Sequence, residues 1–125
     1  MSKEALREDP SLARDDEEKY RGFSDLVRQA IEGNESATSA LFSEVSTNLL
    51  KFFRRRLPQE ADDLTQITLL KLVPILPSFK LGENDRHTAK SFWRLAYVIA
   101  RANLADAYYT IRQSKTSVLD ETRRV

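Results

Sequence analysis

The sequence predicts an all-α protein, a compact bundle of about four helices carrying flexible tails. Three observations lead there. Apolar residues recur at helical spacing in four separate segments, and no segment alternates with the two-residue period of a strand. Three glycines and four prolines are too few for a loop-rich β-sandwich. A length of 125 residues allows one domain. The expected boundaries are an acidic flexible tail over 1–22, a helical domain over 23–115, and a tail or the start of an interdomain linker over 116–125.

The first 20 residues hold four basic and seven acidic side chains and include the run Asp15-Asp16-Glu17-Glu18. So few apolar groups do not offset the entropy of ordering a segment, which predicts a mobile tail. From Phe23 the spacing becomes helical: Phe23, Leu26, Val27, Ala30 and Ile31 share one face, with Ser24 read as the N-cap and Gly33 as the stop. A second helix is expected from about Ser36 to Arg56, with Ala37, Ala40, Leu41, Val45, Leu49, Phe52 and Phe53 as its apolar face. Arg54, Arg55 and Arg56 stand in its last turn, where cations oppose the partial negative charge of a helix C-terminus. Leu57-Pro58 then ends it. A third helix starts near Ala61, with Leu64, Ile67, Leu70 and Val73 expected on one buried stripe. Pro74 and Pro77 finish it, since proline lacks the amide proton and clashes with the preceding turn. Ser78 to Thr88 is polar and reads as an exposed loop before a fourth helix over Lys90 to Gln113.

That last helix has two faces. At 100° per residue Phe92, Ala96, Ile99, Asn103 and Ala107 fall together. Lys90, Arg94, Tyr97, Arg101, Tyr108 and Arg112 fall opposite, inside an arc of roughly 60°. Cations lower the cost of approaching phosphates, and aromatic rings offer platforms for unstacked bases. The alternative is the solvated face of an ordinary amphipathic helix, since Lys and Arg favour such positions. Trp93 lies beside the stripe, either as a partly buried packing residue or as a stacking group next to Arg94. Asn103, on the buried face, needs hydrogen-bond partners inside the bundle. Asp106 flanks that face and is a candidate to pair with a base on a neighbouring helix.

Catalytic chemistry finds little purchase. Absence of cysteine excludes thiolate zinc sites and thiol nucleophiles, and His87 is the one histidine, in the polar loop. No glycine-rich phosphate loop, nucleophile elbow or repeated Glu-x-x-His pair occurs. Glu60, Asp62 and Asp63 open the third helix, where the dipole and free amides favour carboxylates. No enzyme, metal or cofactor is expected. No apolar run approaches the ~20 residues of a membrane span, so a cytoplasmic protein without membrane insertion is expected. The balance of 20 basic and 19 acidic side chains leaves a net charge of +1, so distribution along the chain rather than total charge has to indicate a nucleic-acid partner.

Three ordered segments, DLVRQAIEGNESATSALFSEV, ADDLTQITLLKLVPILPSF and SFWRLAYVIARANLADAYY, together resemble conserved region 2 of the extracytoplasmic-function bacterial sigma factors. The resemblance covers roughly Phe23 to Lys115. Its most specific piece is Asp63-Leu64-Thr65-Gln66, followed by Thr68, Leu70, Lys71, Leu76 and Phe79, then Phe92, Tyr97, Ile99-Ala100-Arg101 and Asp106. The chain departs from the family at Ile67, Val73, Pro74, Leu95 and Ala102, and the basic run that usually closes region 2 is Tyr108-Tyr109-Thr110-Ile111-Arg112.

The resemblance implies a domain of an alternative sigma factor that binds core RNA polymerase and recognises and melts the promoter −10 element. Asp63 and Gln66, with Asp62 beside them, would face the clamp coiled coil of the polymerase β′ subunit. The loop from Phe79 to Lys90, with Phe79, Lys80, Arg86 and His87, would capture a flipped base. Lys90, Trp93, Arg94, Tyr97, Arg101, Tyr108 and Arg112 would follow the single-stranded non-template strand. An anti-sigma factor is the implied regulatory partner. Sigma factors of this group carry a second helical domain, region 4, which nothing after Val118 supplies. The expectation is therefore the N-terminal part of a longer protein or a stand-alone region 2-like protein, and the missing helix stop after Asp120 leans towards the first. The alternative function is a sigma-like decoy that binds polymerase or an anti-sigma factor without productive DNA recognition. A blander alternative is an unrelated helical adaptor.

Overall fold

The computed structural model describes residues 10–124, with side chains over 16–114. Four helices follow one another: α1 (Pro10–Ile31), α2 (Glu35–Arg56), α3 (Ala61–Leu72) and α4 (Asp85–Arg124), with short 3₁₀ turns at Pro58–Glu60 and Leu76–Ser78. No strand occurs among the described residues. The expected all-α bundle forms as a ring of packed neighbours, α1 on α2, α2 on α3, α3 on α4 and α4 back on α1. Val27, Leu41, Val45, Leu49, Phe53, Leu72, Phe92 and Ala96 are almost fully buried at its centre. Each removes apolar surface from water at about 25 cal/mol per Å².

The α1–α2 corner shows how local sequence sets the packing. Gly33 adopts φ +94°, a left-handed conformation that costs glycine nothing. Its N–H donates to Ala30 O and that of Asn34 donates to Gln29 O, both over 3.0 Å, which caps the last carbonyls of α1 in a Schellman motif. Asn34 at once caps the next helix, Oδ1 accepting from the Ala37 N–H over 3.0 Å. Helix α2 therefore starts one residue before the expected Ser36 and ends as expected at Arg56.

The structure moves several expected boundaries. Helix α1 begins at Pro10, so residues 10–22 of the expected tail are helical, while residues 1–9 lie outside the described part. The strong helix formers Ala, Leu, Arg, Glu and Lys populate this stretch, and half-buried Tyr20 packs against the core from it. Ser24 is consequently no N-cap. It sits in mid-helix, 1% exposed, where the first-turn amides that a cap would serve are already bonded.

Helix α3 presents a different stripe from the expected one. Ile67, Leu70 and Val73 are 42, 70 and 51% exposed, whereas Ala61, Leu64, Thr65, Thr68 and Leu72 are buried. A three-residue step drifts about 60° round the helix each time, while the set at 61, 64, 65, 68 and 72 keeps to one side. The two threonines fit the core because each hydroxyl bonds back to its own helix, Thr65 to Ala61 O over 2.8 Å and Thr68 to Leu64 O over 2.7 Å. The α3 helix stops at Leu72, before Pro74, and the chain turns through Leu76–Ser78.

The expected loop is shorter than Ser78 to Thr88, because α4 starts at Asp85. Asn84 makes that start: Oδ1 accepts from the His87 N–H over 2.8 Å. The helix runs to Arg124, so residues expected as a tail after Ser114 are helical as far as that position.

Candidate functional site

Helix α4 carries the predicted cationic stripe on its outer side. Lys90, Arg94 and Arg101 are exposed, and none has a carboxylate within ion-pair distance among the described residues. Tyr108 is 41% exposed and Arg112 is exposed one turn further on.

The aromatic residues in and beside the stripe are held rather than free. Trp93 stacks on Phe23, ring centroids 5.1 Å apart and planes inclined by 21°. Tyr97 lies 5.9 Å from Trp93 and meets Phe52 of α2 edge-on at 5.3 Å. The Arg56 guanidinium then covers the Phe52 ring at 3.8 Å, within cation–π range. A continuous row Phe23–Trp93–Tyr97–Phe52–Arg56 thus crosses three helices, its middle members half-buried. Tyr108 closes the same side by donating its hydroxyl to the Arg56 carbonyl over 3.0 Å.

The loop before α4 is fastened to the bundle. Half-buried Phe79 meets Phe92 edge-on at 5.4 Å, so it acts as an anchor, while Lys80 is exposed. Gly82 donates its N–H to the Thr88 hydroxyl over 2.8 Å, and a Cβ on Gly82 would come within 2.7 Å of the His87 ring. His87 itself is exposed. Arg86 lies 5.9 Å above the Tyr20 ring, and Arg28 of α1 bridges Asp25 at 2.6 Å and Asp85 at 3.6 Å.

The second predicted cluster lies on α3. Asp62, Asp63 and Gln66 are exposed and continue into the exposed Ile67, Leu70 and Val73, which makes one face acidic at its start and apolar beyond. Beside it a pocket of about 330 Å³ opens between α3 and α4. Glu60, Asp63 and Asp106 bring carboxylates to its lining, and Leu64, Ile67, Ala107 and Ile111 bring apolar surface. Such a lining suits a cationic side chain with an aliphatic stem. Lys71 and Asn103 line it as well and are joined to each other, the ammonium donating to Asn103 Oδ1. Asn103 is 4% exposed and donates in turn to the Thr68 hydroxyl over 2.9 Å, so the partners its buried amide requires are present. Asp106 makes no ion pair with a neighbouring helix among the described residues.

Asn103 and Asp106 turn towards α3, and Tyr97 and Tyr108 turn towards α2. The two candidate surfaces therefore occupy different sides of α4. Sequence reasoning missed the exposed apolar face of α3, although counting Thr65 and Thr68 as core positions would have revealed it. It also missed that the α2 C-terminus abuts the α4 stripe, a relation that only tertiary packing creates. No described helix is long and apolar enough to cross a membrane, and no group of His, Cys, Asp or Glu able to hold a metal occurs among the described residues. No family model matches the chain, and neither the curated proteins nor the solved structures provide a match.

Proposed function

We propose that the chain is a sigma region 2-like domain that docks on core RNA polymerase through α3 and guides the non-template strand of the promoter −10 element along α4. The observation that carries this reading is the row of exposed, carboxylate-free cations Lys90, Arg94 and Arg101, on a different side of α4 from the one that packs on α3. Two partners can then be engaged at once. On α3, Asp62, Asp63 and Gln66 supply acceptors for basic groups of the β′ clamp coiled coil, and Ile67, Leu70 and Val73 supply apolar area. On α4, cations displace condensed counterions from the strand. In this reading the protein works in the cytoplasm without catalysing a reaction, and an anti-sigma factor is the natural antagonist, because covering both faces silences it.

A second reading has one specific observation in its favour. Trp93 is stacked on Phe23, Tyr97 is wedged against Phe52, and the Tyr108 hydroxyl is committed to Arg56. A domain whose aromatic platforms serve its own packing suits a decoy that binds polymerase or an anti-sigma factor without using DNA.

Binding of the purified chain to core polymerase, compared with an Asp63→Ala, Gln66→Ala variant, tests the docking face. Capture of a labelled non-template −10 strand, with and without polymerase, tests the stripe through an Arg94→Ala, Arg101→Ala variant. Loss in each variant of only its own partner is the expected result. Polymerase binding without strand capture selects the decoy, and failure of both interactions overturns the sigma reading.

A further inference from the structure

We infer that Lys51 and Arg55 of α2 form a second phosphate-contacting patch, continuous with Arg101, over which a single DNA strand passes after leaving the α4 stripe. The inference rests on the nucleic-acid reading of that stripe and extends it to another helix.

Helix α4 has no cation between Arg101 and Arg112. Two contacts hold the C-terminal end of α2 beside α4, one before Arg101 and one within this gap. Phe52 meets Tyr97 at 5.3 Å, and the Arg56 carbonyl accepts from Tyr108 at 3.0 Å. They bracket Arg101 along α4 and Arg55 along α2. Helix geometry then sorts the basic residues of α2. At 100° per residue Arg55 lies about 60° round from Phe52 and Lys51 about 100° round on the same side, whereas Arg54 lies about 160° round, on the far side. Arg56 is already engaged, with Nη1 donating to Phe52 O over 2.9 Å and the guanidinium over the Phe52 ring. Lys51 and Arg55 are exposed, and neither has a carboxylate within ion-pair distance among the described residues. Cations that only served the helix dipole would need to be in the last turn, which does not account for Lys51, a turn earlier.

The test is the salt dependence of binding of a fluorescently labelled oligothymidylate to the full chain, followed by anisotropy. Each lost phosphate contact lowers the log–log salt slope by about 0.7 for a single strand. Lys51→Ala, Arg55→Ala should therefore reduce it by about 1.4. Arg54→Ala, a loss of one charge on the far side against two in the double variant, should leave it unchanged. Lys51→Gln, Arg55→Gln, with far-UV circular dichroism on every variant, guards against a folding defect. An unchanged slope in the Lys51/Arg55 variants, while Arg94→Ala, Arg101→Ala lowers it, overturns the α2 patch and leaves the stripe standing. An equal effect per charge from Arg54→Ala also overturns it, since net charge alone would then explain the loss. Absence of any strand binding by the wild-type chain removes the nucleic-acid reading and the patch with it.

Discussion

Asn103 donates through Nδ2 to the Thr68 hydroxyl over 2.9 Å, joining residues 35 positions apart and fixing the register of α4 on α3. The Thr68 hydroxyl in turn donates to Leu64 O over 2.7 Å, and Lys71 donates to the other end of the amide. A line of donors thus runs from a solvent-facing ammonium to a buried backbone carbonyl. Thr68→Val keeps the shape and deletes the acceptor, stranding a buried amide donor at a cost of about 1–3 kcal/mol. Asn103→Leu combined with Thr68→Val should cost less than the two singles added together, with a coupling of about 1 kcal/mol. Urea unfolding followed by circular dichroism measures all three, and strict additivity would mean that the bond contributes nothing.

Neighbouring leucines on α3 should behave oppositely. Leu72 is 2% exposed and Leu70 is 70% exposed. Leu72→Ala empties core volume and should destabilise by about 2–5 kcal/mol. Leu70→Ala should stay within about 0.5 kcal/mol, as surface substitutions do. Under the proposed function Leu70→Ala nevertheless weakens polymerase binding. Equal destabilisation by both would place Leu70 in the core, as the three-residue spacing first suggested.

That contrast also shows what the sequence made legible. Helix number, the Gly33 stop, the end at Leu57-Pro58 and the outward face of α4 follow from local rules that each segment obeys alone. The inner face of α3 does not, because Thr65 and Thr68 become core residues only once their hydroxyls bond back to Ala61 O and Leu64 O. The α1 start differs for a related reason: composition marks residues 10–22 as polar, while they continue a helix whose later turns, from Tyr20 on, pack against the core. At the candidate site, the cations were readable from periodicity. The engagement of Trp93 by Phe23 was not, because stacking partners 70 positions apart leave no local pattern.

The loop that leads into α4 depends on a missing side chain. A Cβ at Gly82 would lie 2.7 Å from the His87 ring, closer than real contacts allow, and the Gly82 N–H must still reach the Thr88 hydroxyl. Gly82→Ala should destabilise by about 1–3 kcal/mol through that overpacking. The His87 Cβ lies as close as the ring, at 2.8 Å, so removing both with His87→Gly should recover most of the loss. Thermal unfolding of the two singles and the double reads the rescue directly, and no recovery in the double would show that Gly82 is needed for backbone reasons instead.

Trp93 is the one tryptophan of the chain, so its fluorescence reports on the aromatic row without labelling. Phe23 covers one face of the indole at 5.1 Å and also meets Phe92 at 5.5 Å. Phe23→Leu keeps apolar volume but removes both ring pairs, each worth about 0.5–1.5 kcal/mol, and should loosen the indole enough to shift its emission to the red. Under the proposed function a strand running from Arg94 to Arg101 passes the exposed part of half-buried Trp93 and should quench it, an effect absent in Arg94→Ala, Arg101→Ala. Titration with an unlabelled non-template strand measures this. Strand binding seen by anisotropy with no change in Trp93 emission would mean that the strand avoids the aromatic row, and Trp93 would then serve packing alone.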